Sequence, residues 1–140
     1  MHCSSSGMAV VVAAWDSGGN AICCNYLVDL WCLGVKNADG PLSLPRRKLP
    51  ERLNMYYSSF AGHPAAAPLD LARQVVFGAV DYARRLGFEP HADYARAAAP
   101  LGPWDGVCDI EFGPYDDQRR ILRKLRRAVG DGGFESMTML

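Results

Sequence analysis

Between Ala9 and Val35 the chain reads as two extended apolar segments joined by Ser17-Gly18-Gly19-Asn20, and no other feature limits its folding as much. Ala9 to Trp15 carries no charge and is rich in valine, as a strand buried on both faces, or nearly so, requires. The two glycines tolerate the positive φ angles that a tight hairpin demands. Ala21 to Val35 reads as a long second strand. Side chains alternate across a strand, so Ile22, Cys24, Tyr26, Val28, Leu30 and Cys32 share one face. Cys23, Asn25, Leu27, Asp29, Trp31 and Leu33 form a mixed set on the other. The spacing predicts an antiparallel hairpin whose apolar face needs a cover.

The cover is a helix over Leu69 to Leu86. Ala72, Val75, Val76, Ala79, Val80, Ala83 and Leu86 form a continuous apolar stripe, with Arg73, Asp81, Arg84 and Arg85 outside it. Pro68 and Asp70 suit its start, and Gly87 suits a left-handed stop. Gly78 lies inside it at a cost of about 1 kcal/mol relative to alanine. A close backbone approach to the sheet is the expected compensation.

The remaining segments are shorter. Asn37-Ala38-Asp39-Gly40-Pro41 reads as the start of a loop, Pro50 to Phe60 as a short amphipathic helix, and 62–68 as a second, mobile loop. His91 to Ala99 reads as another short helix and Val107 to Phe112 as a third strand. Pro114 then opens a final helix with Ile121, Leu122, Leu125 and Val129 as its buried stripe. The expected fold class is α+β, in the order β-β-α-α-α-β-α, with helices packed on one face of a small antiparallel sheet. The expected organisation is a disordered leader over 1–7, a single domain over 8–134 and a flexible tail over 135–140.

Composition narrows the function classes only a little. Lys plus Arg and Asp plus Glu both number 15, so the formal net charge is zero and global electrostatics select no partner. The five cysteines include no C-x-x-C pair, and adjacent Cys23 and Cys24 point to opposite strand faces, which suits apolar filling in a reducing compartment better than chelation. Neither a metal site nor a cofactor is expected. No apolar stretch approaches the roughly 20 residues that span a bilayer, and no secretion signal is evident. The expected localisation is cytoplasmic.

Three segments together carry a resemblance: Tyr26-Leu27-Val28-Asp29-Leu30-Trp31-Cys32-Leu33-Gly34-Val35-Lys36-Asn37-Ala38, the stretch from Ala79 to His91, and Gly113-Pro114-Tyr115-Asp116-Asp117. They resemble an uncharacterised bacterial protein family of high-GC, actinobacterial type with an LVDxxCLGVK segment and a GPxDD turn. The resemblance covers most of the chain from Met8 to about Phe134. It implies no known activity, cofactor or catalytic residue. In that family a turn and a further strand separate the FG end of the third strand from GPxDD. Here Ile110-Glu111-Phe112-Gly113 runs directly into Pro114, which implies the loss of about one strand from the sheet.

Three sets of residues are candidates for chemistry or binding. Arg119, Arg120, Arg123, Lys124, Arg126 and Arg127 crowd one stretch of the final helix. They suit phosphate contacts on nucleic acid, an anionic surface, or simply a solvated face. Asp109 and Glu111 alternate on the expected third strand and, with Asp29 or with Asp116 and Asp117 beyond the turn, form a candidate magnesium site for phosphodiester hydrolysis. Their alternative is solvent-facing or backbone-capping carboxylates. Cys32 and His91 are the candidates for a thiolate–imidazole pair, against core filling and a helix start. Trp15, Trp31 and Trp104 read as core or rim rather than as a base-stacking platform.

The leading expectation is a non-enzymatic binding or accessory protein with a macromolecular partner of unknown identity, docking through the basic C-terminal helix. The alternative is a metal-dependent hydrolase acting on nucleic acid or another phosphate ester. An exposed sheet edge would also admit pairing with a second copy or a partner chain.

Overall fold

The structure is a computed structural model, and it describes residues 1–3, 7–60 and 63–113. The chain is α+β. A four-stranded antiparallel meander, β1 (His2–Cys3), β2 (Met8–Ser17), β3 (Asn20–Asp29) and β4 (Gly34–Pro45), runs in sequence order. A 3-10 turn at Arg46–Lys48 leads into α1 (Leu49–Tyr57), followed by α2 (Leu69–Arg85), α3 (Tyr94–Ala98) and a 3-10 turn at Ala99–Leu101. No described helix is long and apolar enough to cross a membrane. The expected final helix and tail lie outside the described residues.

The hairpin forms as its residues dictate. Met8 through Ser17 pair in unbroken register with Asp29 back to Asn20, and the turn sits on Gly18 and Gly19, with φ of +52° and +86°. Positive φ at both central residues is the primed turn that matches strand twist. Ala9, Val11, Cys24, Tyr26 and Val28 are buried on one face, against Val75, Val76, Ala79 and Val80 of α2. The helix ends in a full Schellman arrangement: Phe88 N–H donates to Ala83 O at 2.9 Å and Gly87 N–H to Arg84 O at 3.0 Å, with Gly87 at φ +90°. Leu86, expected at the end of the apolar stripe, is instead 48% exposed, at the C-cap just past the helix's last residue, Arg85.

The third full strand is not where the sequence pattern put it. Residues 34–45, expected as strand end and loop, form β4, paired with β3 from Asp29↔Gly34 to Asn20↔Pro45 with two register shifts. Bulges absorb the misfit of Asn37, Asp39, Gly40 and Pro41, and an edge strand can hold proline because its outer N–H groups have no neighbour to serve. Val35 and Ala38 still point into the core.

Conversely, 107–113 pairs with no strand among the described residues; it runs extended along α2. Gln74 holds it there, accepting from Asp109 N–H at 3.0 Å through its side chain. Phe112 stacks on Tyr82 with centroids 6.3 Å apart, Ile110 is buried, and Gly113 N–H donates to Leu30 O. Docking onto helix side chains has replaced a place in the sheet.

Glycine positions show where backbones meet. At Gly34, with φ +68°, an added Cβ would lie 3.0 Å from Ala79 O and 2.9 Å from Ala83 Cβ, so α2 rests directly on the start of β4. At Gly78 the close neighbours are Phe112 and Cys108, not the sheet. The compensation expected there is therefore made by the 107–113 segment.

The start of the chain also departs from expectation. His2 and Cys3 pair with Val10 and Ala9, and Met1 is buried, its carbonyl accepting from Ala65 N–H at 3.0 Å.

Candidate binding cleft

The feature that stands out from this architecture is an incomplete sheet edge. Among the described residues, the outer side of β2 is paired at Ala9 and Val10, by the two residues of β1. Among the described residues, Val11 to Ser17 have β3 on one side and no strand on the other. Natural edges are usually blunted by charge, proline or a bulge. Here the run Val11-Val12-Ala13-Ala14-Trp15 has none of these until Asp16, which is paired with Arg46 at 2.9 Å.

This edge opens into a cleft of about 530 Å³. Its floor is Val11 to Trp15. Leu53 and Tyr57 of α1 form one wall, Leu69 and Ala72 of α2 the other, and the 64–67 segment lies across from the strand. Ala13 belongs to the core face covered by α2, so Ala14 belongs to the opposite face. Helix α1 sits on that opposite face, where the Tyr56 hydroxyl donates to Asp39 Oδ2 at 3.1 Å. The cleft thus reaches around both faces of one strand. Its wall is held by the Met1 amino group, which donates to Tyr57 Oη and Ala65 O, each at 3.0 Å. The loop expected to be mobile is, at Ala65, tied to the first residue.

Beneath α1, Cys23 is fully buried, and burial pushes its thiol above the usual range; Cys24, facing the core, is raised for the same reason. Burial also raises Tyr56, reinforced by the bond its hydroxyl gives to Asp39. These groups are held protonated, which suits packing and donation rather than nucleophilic attack. Cys23, Cys24, Cys32 and Cys108 are free thiols.

The carboxylates singled out in the sequence have local duties. Asp29 accepts from Trp31 N–H at 2.9 Å and Leu33 N–H at 3.2 Å, which closes the turn between β3 and β4. Asp109 and Glu111 are exposed on the segment that docks on α2. Among the described residues no group of three or more His, Cys, Asp or Glu is placed to hold a metal ion, so these three do not meet as a ligand set.

His91 is spent on a turn, its Nδ1 accepting from Asp93 N–H at 3.1 Å while its own N–H donates to Val35 O. The tryptophans go to separate places: Trp15 to the cleft, Trp31 against Gly7, and Trp104 stacked on Phe77 with centroids 5.6 Å apart. Arg119, Arg120, Arg123, Lys124, Arg126 and Arg127 lie outside the described residues, as do Asp116 and Asp117.

Sequence reading missed the cleft itself. Its signals were present in the uncharged run ending at Trp15 and in the alanine-rich Pro64-Ala65-Ala66-Ala67-Pro68, but nothing local says that the two lie opposite each other. Comparison with protein-family models, curated proteins and solved structures finds no match to this chain.

Proposed function

We propose that this chain is a binding module whose macromolecular partner enters as an extended polypeptide segment and adds a strand beside Val11 to Ser17. The observation that carries this reading is that, among the described residues, the outer edge of β2 beyond Val10 has no strand beside it and opens onto the cleft. Strand addition draws affinity from main-chain hydrogen bonds and selectivity from pockets for alternate side chains. That edge offers the first, and the walls formed by α1 and α2 offer the second. Five residues of floor correspond to about 17 Å of extended peptide. The partner's identity is left to chemistry, and the basic stretch from Arg119 to Arg127 remains a second docking element within the same proposal. Free thiols at Cys23, Cys24, Cys32 and Cys108 suit a reducing compartment, and the reading takes the module to be cytoplasmic.

The test is amide hydrogen exchange of the full chain with and without a panel of extended synthetic peptides of mixed composition. The outward amides of 11–17 are expected to gain protection when a peptide binds. Binding that leaves exchange at 11–17 unchanged would remove the reading.

A further inference from the structure

We propose that α1 is a lid on the face of the sheet opposite α2: it lifts away as a unit while α2, α3 and the strands stay closed, and Tyr56 is its latch. The lid belongs to this chain whatever enters the cleft.

Of the described α-helices, α1 alone has no buried residue, whereas α2 buries eight of its 17 and α3 two of its five. It is also too short to stand by itself. It has nine residues, and its N-cap, Lys48, makes no side-chain capping bond. Helices shorter than about 12 residues are marginal in water without tertiary support. The support here is thin. Leu49, Arg52, Leu53, Tyr56 and Tyr57, its most covered side chains, are only half-buried. Two hollows undercut it along separate stripes. One of about 450 Å³ is lined by Lys48, Glu51, Arg52 and Met55 together with Leu44 of β4; the other is the cleft, at Leu53 and Tyr57. Atoms that line a hollow lack packing partners on that side. A segment with few buried contacts opens at a smaller free energy than the whole fold.

The latch joins α1 to β4 and β3. The Tyr56 hydroxyl donates to Asp39 Oδ2 at 3.1 Å, and the same side chain shares a hydrogen bond with the Cys23 thiol. Cys23 lies under α1, fully buried, next in sequence to Cys24, which belongs to the core covered by α2. Asn25, opposite Asp39 in the β3–β4 register, has its Oδ1 buried without a hydrogen-bond partner. An unsatisfied acceptor on this face favours a state that admits water. Opening of α1 therefore uncovers Cys23 and removes Leu53 and Tyr57 from the cleft wall, while Cys24 stays enclosed.

The adjacent cysteines make the test. Two full-length chains keep one thiol each, Cys23 or Cys24, with the other cysteines replaced by alanine. Both are reacted with an aromatic disulfide over a range of urea. Cys23 is expected to react at least about ten-fold faster than Cys24, with a shallower dependence on urea because less surface is exposed. Equal rates and equal slopes would mean that α1 leaves only when the whole fold does, and would overturn the lid.

Tyr56→Phe should raise the Cys23 rate roughly two- to ten-fold, as the loss of one hydrogen bond allows, and leave the Cys24 rate unchanged. An unaltered Cys23 rate, or an equal rise at both thiols, would overturn the latch. In the unsubstituted chain, the amides of 49–57 should exchange with solvent faster than those of 71–83. Exchange as slow as in α2 would overturn the lid without any substitution.

Discussion

Tyr26, midway along β3, donates its hydroxyl hydrogen to the main-chain oxygen of Ala97 in α3, 71 residues away in the chain. The tyrosine is fully buried and so is Ala97, so neither end of this bond has access to water. A neighbouring tie is made by Arg96, which donates from Nε to Gly40 O at 3.1 Å. Together they fasten α3 to β3 and to β4. Tyr26→Phe keeps the ring but leaves the carbonyl unsatisfied, and should cost about 1–3 kcal/mol. The readout is a lower urea midpoint with an unchanged slope. Arg96→Ala, at an exposed side chain, should cost less; the reverse order would show that the buried bond is not what holds α3.

Alkaline pH should weaken the fold, with a defined sign. Cys23 and Cys24 are held protonated above the ordinary thiol value of 9.0, and Tyr26 and Tyr56 above the ordinary phenol value of 10.0, in each case mainly by burial. In the unfolded chain these protons leave first. Between the unfolded and folded values the native state therefore binds more protons, and stability falls as pH rises. Stability is fully present below about pH 9 and declines above it. Urea midpoints measured from neutral pH to about pH 11 should show this decline, steepening as the phenols begin to titrate, with a shallower upper limb in Tyr26→Phe. A flat profile would mean that these groups gain water in the native state.

Much of the frame was legible because local and tertiary demands agree in it. The glycine turn, the alternation along β3 and the stripe of α2 each satisfy local propensity and burial at once. Where the two demands diverge, the sequence misleads. Residues 34–45 look like a loop, since Asn37, Asp39, Gly40 and Pro41 are turn formers; edge position and two bulges make them a strand. Val107 to Phe112 look like a strand, yet Gln74 and Tyr82 of α2 supply contacts that take the segment away from the sheet. The cleft is less legible still, because its floor, walls and far side come from residues 11–15, 53–57, 64–67 and 69–72. Only the folded chain brings them together.

Gly34 should be hard to replace, as should Gly40, where an added Cβ at φ +108° would lie 2.6 Å from Cys23 O. The φ of +68° at Gly34 disfavours any side chain, and a Cβ there would press on Ala79 O and Ala83 of α2. Gly34→Ala should therefore cost more than about 2 kcal/mol, combining left-handed strain with a backbone clash. Gly19→Ala has a positive φ but open space around it, so it should cost only the strain. Gly78→Ala makes a different comparison. The helix gains about 1 kcal/mol of propensity while Phe112 and Cys108 are displaced, so no net stabilisation is expected. Faster reaction of the Cys108 thiol with a disulfide reagent would report that displacement. A stabilised Gly78→Ala with unchanged thiol reactivity would show that 107–113 is not seated on α2.

Asp29 separates a turn-closing carboxylate from a metal ligand by experiment. Its two oxygens accept from Trp31 N–H and Leu33 N–H, and both donors belong to the turn that carries β3 into β4. Asp29→Ala removes both acceptors and should cost about 1–2 kcal/mol, whereas Asp29→Asn keeps one oxygen and should cost less. A ligand that binds only the native state raises the melting temperature in proportion to its occupancy. If Asp29 held magnesium with Asp109 and Glu111, adding the ion would raise the melting temperature of the wild type, and Asp29→Asn would abolish that rise. With Asp29 engaged in its turn and no three-ligand cluster among the described residues, magnesium should leave the melting temperature of both proteins unchanged. A magnesium-dependent rise lost in Asp29→Asn would restore the hydrolase reading and displace the turn-closing one.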